Sequence, residues 1–227
     1  MSVNGVVELG DHFTGFKHPF SMLLVGSRGT GKTEFTKTLL ARQNEFISHK
    51  IDHVYWFSGS EQKSFSQDME SVPSRVHFRE GLPDENIIEY AKMRSGTRLI
   101  VIDDLMSEAS KREDVLHLFT RGRHADISVI FLSQNGFHQG KHFREVNRNS
   151  DYIVYFQNTR DQTSISTVGS QMGVRSFLRK AFHDATKEAY THFLIDYRAD
   201  TPNMLRYRSK TFDEIPIFYV QPEGKIV

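Results

Sequence analysis

Phe20-Ser-Met-Leu-Leu-Val25 runs directly into Gly26-Ser27-Arg28-Gly29-Thr30-Gly31-Lys32-Thr33, and this stretch decides how the chain folds. The first six residues are a short apolar run of strand length. The next eight match G-x-x-x-x-G-K-[ST] at every position. From Thr33 to about Phe46 the pattern turns helical, with Phe35, Leu39, Leu40 and Phe46 on one stripe. Strand, glycine-rich loop and helix in that order make a phosphate cradle. The glycines let successive backbone N–H groups, and the helix N-terminus behind them, point at an anion. In such a loop Lys32 reaches the β- and γ-phosphates of a nucleotide, and the Thr33 hydroxyl ligates Mg²⁺.

Outward from this loop, strands and helices alternate. Ile51–Phe57, Arg75–Arg79, Leu99–Ile102, Ile127–Leu132, Tyr152–Phe156 and Thr191–Tyr197 read as strands. Several are apolar throughout, the mark of strands covered on both faces in a parallel sheet. Helical patterning falls between Asp84 and Met93, over Lys111–Arg123, and over Gln162–Ala189 with a break near Gly169 and Gly173. The pattern predicts an α/β protein with a mainly parallel central sheet flanked by helices. Residues 1–19 read as an N-terminal arm, with Met1–Lys17 an arm or a short edge strand, 20–200 as one nucleotide-binding domain and 201–227 as a C-terminal tail, irregular over Arg206–Val227.

A nucleotide site that cuts phosphate needs carboxylates beside the loop. Leu99-Ile-Val-Ile102 ends in Asp103 and Asp104. Asp103 is placed to hold the Mg²⁺ shell, and Asp104 to polarise an attacking water as a general base. Gln134 ends the next apolar strand, where ligands of open parallel sheets lie. Its amide suits a γ-phosphate or the attacking water, although periodicity alone fits an ordinary polar strand end equally well.

Composition narrows the classes. The 227 residues contain no cysteine, which excludes disulfides, thiolate metal sites and a cysteine nucleophile. Lys and Arg number 29 against 28 Asp and Glu, so no global basic field advertises nucleic acid and any such contact must be local. No apolar run approaches the roughly 20 residues of a bilayer span, and Met1–His12 does not read as a signal peptide. The expectation is a soluble, intracellular protein without a membrane partner. The 11 histidines are scattered, and Trp56 reads as core.

Beyond the loop and the acidic strand, Leu118-Phe-Thr-Arg-Gly-Arg-His124, Ser133-Gln-Asn135, Phe137-His-Gln-Gly-Lys141 and Asn158-Thr-Arg-Asp161 carry a resemblance. Over roughly Phe20–Met172 the chain resembles the FtsK–HerA group of RecA-like P-loop ATPases. Within that group it is similar to the genome-packaging ATPases of poxvirus-like viruses, virophages and Polinton/Maverick elements. The resemblance implies an ATP-hydrolysing, Mg²⁺-dependent ring motor that translocates double-stranded DNA, often into a capsid. The ring would be a homo-oligomer, a pentamer or hexamer, docked at a capsid or procapsid vertex. For a viral protein, the setting is the host cell's cytoplasm or nucleus, with association to the virion. By the same resemblance Lys32, Thr33 and Asp103 stand at the family's phosphate and magnesium positions, and Gln134 at its sensor. Arg123 corresponds to an arginine finger delivered to a neighbour's nucleotide, with Arg160 and then Arg121 as alternatives. Many relatives carry glutamate at the position of Asp104. The family's usual asparagine-proline-arginine-aspartate lacks its proline here.

The stretch 135–149 carries Lys141, Arg144 and Arg148 among aromatics and glycines. It reads as a loop that grips DNA phosphates without reading sequence, and equally as a solvated surface loop. Arg175–Lys180 reads as an amphipathic helix with its charged face in water. Two other activities fit the phosphate loop: a kinase acting on a small molecule, and a nucleotide-gated DNA-binding scaffold that does not turn ATP over.

Overall fold

The computed structural model describes residues 14–59, 69, 72–109, 112–134, 141–158 and 163–221. Its strands are β1 (Ser21–Val25), β2 (His53–Ser58), β3 (Arg75–Glu80), β4 (Arg98–Asp103), β5 (Ile127–Ser133), β6 (Tyr152–Phe156), β7 (His192–Asp196), β8 (Tyr207–Ser209) and β9 (Ile217–Phe218). They form one sheet in the order β3-β2-β4-β5-β1-β6-β7-β8-β9. The first six in that order run parallel, and the last three are antiparallel to their neighbours.

The strand bearing the phosphate loop is therefore central. It lies between β5 and β6, with Val25 opposite Ser133 on one side and Tyr155 on the other. Both faces of the sheet are apolar, as the double-sided runs require. On one face Met22, Leu24, Leu99 and Val101 pack with Trp56 against Phe35, Leu39 and Leu40 of α1 (Lys32–Ala41). The short α2 (Gln43–Phe46) follows α1. On the other face Leu23, Val25, Ile100 and Ile102 pack against the remaining helices. These are α3 (Ile87–Lys92), α4 (Met106–Ala109), α5 (Glu113–Arg121), α6 (Lys141–Arg148), α7 (Thr163–Gln171) and α8 (Arg175–Ala185).

Three segments differ from the sequence-based expectation. Residues 14–19 do not hang free as an arm: Phe16 is fully buried against Phe20, Phe35 and Tyr152, and its backbone N–H bonds Phe46. The stretch 206–227 is not irregular throughout, because β8 and β9 extend the sheet beyond β7. Within 135–149, residues 141–148 are helical rather than a loop.

The predicted break in the 162–189 helix has a local cause. A Cβ on Gly169 would stand 2.6 Å from the Cα of Arg175, so only glycine allows that approach, and Gly173 turns the chain at φ +72°. Two helices instead of one return the chain to the carboxyl end of β6. The next strand, β7, must therefore start there and run antiparallel, which places the α8–β7 turn beside the phosphate loop.

Candidate nucleotide-binding site

The loop 26–31 is shaped by contacts that leave no room for side chains. A Cβ on Gly26 would lie 2.6 Å from Thr30 Oγ1 and 2.7 Å from Phe156 Cβ. The Gly26 N–H donates to Ser133 O at 3.1 Å, tying the loop to the end of β5. Thr30 Oγ1 donates to Ser27 O at 2.8 Å, and Ser27 Oγ donates to Asn158 Oδ1 at 2.9 Å, tying it to the end of β6. Gly31 caps α1 at φ +104°, a conformation that turns the first amides of the helix outward. Arg28 and Gly29 are exposed at the loop's crest.

Lys32 is buried, and its ammonium donates to Gly26 O at 2.6 Å and Ser27 O at 2.9 Å. Burial lowers its pKa, while Asp104 and Asp103 act in the opposite direction. Those acids arrive from the carboxyl end of β4, two strands away. Thr33 and Trp56 both donate side-chain hydrogen bonds to Asp103, so the hydroxyl and the carboxylate already face one another. Such a pair of hard oxygen donors suits Mg²⁺. The next residue, Asp104, sits at φ +55°, which aspartate tolerates better than most side chains. This turn brings Asp104 Oδ1 to 2.5 Å from Gln134 Nε2, which donates to it from the end of β5. Lys32, Thr33, Asp103, Asp104 and Gln134 thus converge at the carboxyl end of the sheet.

Asp103 is pushed up to about 6, first by burial and then by the charge of Asp104; Lys32, Thr33 and Trp56 pull it down. The unfolded chain ionises near the ordinary 3.8, so between that value and about 6 it releases a proton that the folded protein keeps. Above about 6 the folded state carries the cost of a buried carboxylate. Asp103→Asn is therefore expected to stabilise the nucleotide-free protein by about 1–3 kcal/mol at a pH of about 7.5. The gain shrinks as the pH falls through about 6 and vanishes near a pH of about 4. Thermal melts at the two ends of this range check it. A stability change that does not vary with pH would contradict the assignment.

The remaining site candidates lie elsewhere. Arg123 is in a 3₁₀ turn before β5 and forms an ion pair with Asp151, whose backbone N–H bonds Ser21 O at the start of β1. That is the amino end of the sheet, the length of β1 away from its own Lys32, roughly 13 Å at about 3.3 Å per residue. Arg121 is exposed at the end of α5. Arg160 falls outside the described residues. Positions 141, 144 and 148 share one side of α6, whose last residue, the exposed Arg148, lies toward the amino end of the sheet. Trp56 is more than core filler: its indole N–H bonds the Asp103 carboxylate, a role that no spacing in the sequence announces. Among the described residues, no helix is long and apolar enough to cross a membrane.

This fold and this loop define an α/β protein of the RecA-like P-loop type. The family described as the poxvirus A32 protein matches residues 13–181, about three quarters of the chain, and the chain belongs to that family. It is 23% identical over 141 residues to the DNA packaging protein OPG160 of Monkeypox virus and of Vaccinia virus (strain Copenhagen). The match takes in 54% of this chain and 43% and 48% of those proteins, so the chain spans somewhat under half their length. Among solved structures it is similar to the genome packaging NTPase B204 of Sulfolobus turreted icosahedral virus 2 in complex with AMPPCP. The TM-score is 0.56 at 18% identity, covering 81% of this chain and 95% of that one. The cytoplasmic domain of the Thermomonospora curvata type VII secretion ATPase EccC is similar with a TM-score of 0.51 at 17% identity, over 80% of this chain and 24% of that one.

Proposed function

We propose that this chain is an Mg²⁺-dependent ATPase that moves double-stranded DNA into a viral capsid, working as a ring of five or six copies. One observation carries the reading: the Thr33–Asp103 contact and the Asp104–Gln134 contact converge on the loop that holds Lys32. A γ-phosphate needs a cation, a metal-binding hydroxyl and carboxylate, and a group that orients water, and those five side chains are this set. Membership in the poxvirus A32 family, and similarity to DNA packaging proteins, support the packaging reading.

In this mechanism the loop amides and Lys32 hold the phosphates. The Lys32 ammonium exchanges its bonds to Gly26 and Ser27 for β- and γ-oxygens. Thr33 and Asp103 would hold Mg²⁺, which when bound would supply positive charge to the phosphate oxygens. Asp104 accepts a hydrogen bond from the attacking water and Gln134 fixes that carboxylate's orientation. The new bond joins the water oxygen to the γ-phosphorus, the bond to the β–γ bridging oxygen breaks, and the water's proton passes toward Asp104. The capsid end of the assembly and the host-cell setting follow from the packaging reading alone.

ATP hydrolysis measured with and without duplex DNA, across protein concentration, tests the proposal. Turnover that rises with both DNA and concentration is expected. Phosphate release only when a small-molecule acceptor is added would make the chain a kinase, and no release at all a nucleotide-gated scaffold. DNA contact is assigned to Lys141, Arg144 and Arg148. Replacing all three by alanine is expected to weaken duplex binding and to flatten the slope of log K against log salt by about 3. Unchanged affinity in the triple variant would remove α6 from the DNA path.

A further inference from the structure

Tyr190 is an unusual residue for its place. It lies in the six-residue connection between α8 and β7, held by the Thr191 Oγ1 bond to Glu188 O at 2.7 Å. Its backbone adopts φ +64°, in the left-handed region that a bulky side chain enters at a cost. The residue is 73% exposed, although a large aromatic ring gains by burial. A Cβ placed on Gly31 would stand 3.7 Å from both Tyr190 Cβ and Tyr190 Cδ1, and 3.6 Å from the buried ring of Phe156. The tyrosine therefore leans on the phosphate loop with the rest of its ring open to solvent.

The side it occupies matters. Asp103, Asp104 and Gln134 come from β4 and β5, on one flank of β1. Tyr190 comes from the start of β7, on the other flank, beyond β6. A nucleotide whose terminal phosphate faces the acids and whose phosphate chain wraps Gly29 and Gly31 must direct its base toward the opposite flank. We infer that Tyr190 is the stacking platform for the nucleobase, a base-binding subsite that completes the phosphate site. The exposure of the residue leaves the ring accessible for that contact. This inference rests on the nucleotide-binding reading above.

The test compares ATP with inorganic tripolyphosphate, which carries the phosphates without a base, by calorimetric titration of the full chain. The wild-type protein is expected to bind ATP more tightly than tripolyphosphate. Tyr190→Ala should weaken ATP binding by about 5-fold or more, the range of a base stacked on an aromatic ring, and leave tripolyphosphate within about 2-fold. Tyr190→Phe should behave as wild type. The inference is overturned if Tyr190→Ala binds ATP unchanged, if it loses both ligands in parallel, or if the wild type does not discriminate between them. A wild type that binds neither ligand would instead sink the phosphate-site reading itself. Tyr190→Trp adds a direct signal: its fluorescence should change with ATP and stay constant with tripolyphosphate.

Discussion

Lys32→Ala should lower ATP turnover by about a hundredfold or more, the cost of removing one preorganised donor from a transition state that depends on charge stabilisation. The ammonium is the cation of the loop, buried against Gly26 and Ser27 and flanked by Asp103 and Asp104. Its removal also takes away the positive charge that holds Asp103 down, so that carboxylate should become harder to ionise. Both effects act in the same direction on catalysis. Steady-state hydrolysis, with melting temperature as the control for folding, reads the result. A variant that keeps half its activity would place hydrolysis somewhere other than this loop.

Arg123→Ala should lower turnover by about a thousandfold while leaving ATP affinity nearly unchanged, as expected for an arginine that meets only the transition state. The fold should tolerate the change. Asp151 keeps its Oδ2 bonds from the Ser21 N–H at 2.9 Å and the Ser21 hydroxyl at 3.0 Å, and the Arg123 side chain is about half exposed. Asp151 itself is buried, and these two retained hydrogen bonds keep its carboxylate partnered when the guanidinium is removed. Because Arg123 sits at the amino end of the sheet and Lys32 at the carboxyl end, a finger role for its guanidinium would require a neighbour's nucleotide. Mixing inactive Arg123→Ala with inactive Lys32→Ala should therefore restore part of the activity, since some interfaces then pair an intact loop with an intact arginine. Activity that neither depends on protein concentration nor recovers on mixing would remove the finger.

These two expectations draw on different kinds of information. Lys32 was legible because the phosphate loop is local: eight consecutive residues carry the whole geometry, and the strand before and helix after it are visible in hydropathy. The parallel core was legible for the same reason, since β4, β5 and β6 are apolar on both faces and nothing but burial explains such runs. The two-stranded end formed by β8 and β9 was not. Strands of three and two residues are too short to show a period, and they exist only because β7 offers an unpaired edge. The helix at 141–148 is not legible in sequence, because the glycines before it and its scattered charges resemble a loop. Trp56 looked like filler because its bond to Asp103 crosses between strands that are more than 40 residues apart.

The order of residues along the chain determined the strand–loop–helix unit, the acidic end of β4 and the double-sided core, because each depends on neighbours within a few residues or on simple alternation. Which side chains meet was decided only by the packed sheet. Strand order set Asp104 against Gln134, the two-helix return reversed β7 and carried Tyr190 to Gly31, and the parallel direction of β1 and β5 put Arg123 at the far end from Lys32. Distances between strands depend on the sum of all crossovers, and no local stretch contains that sum.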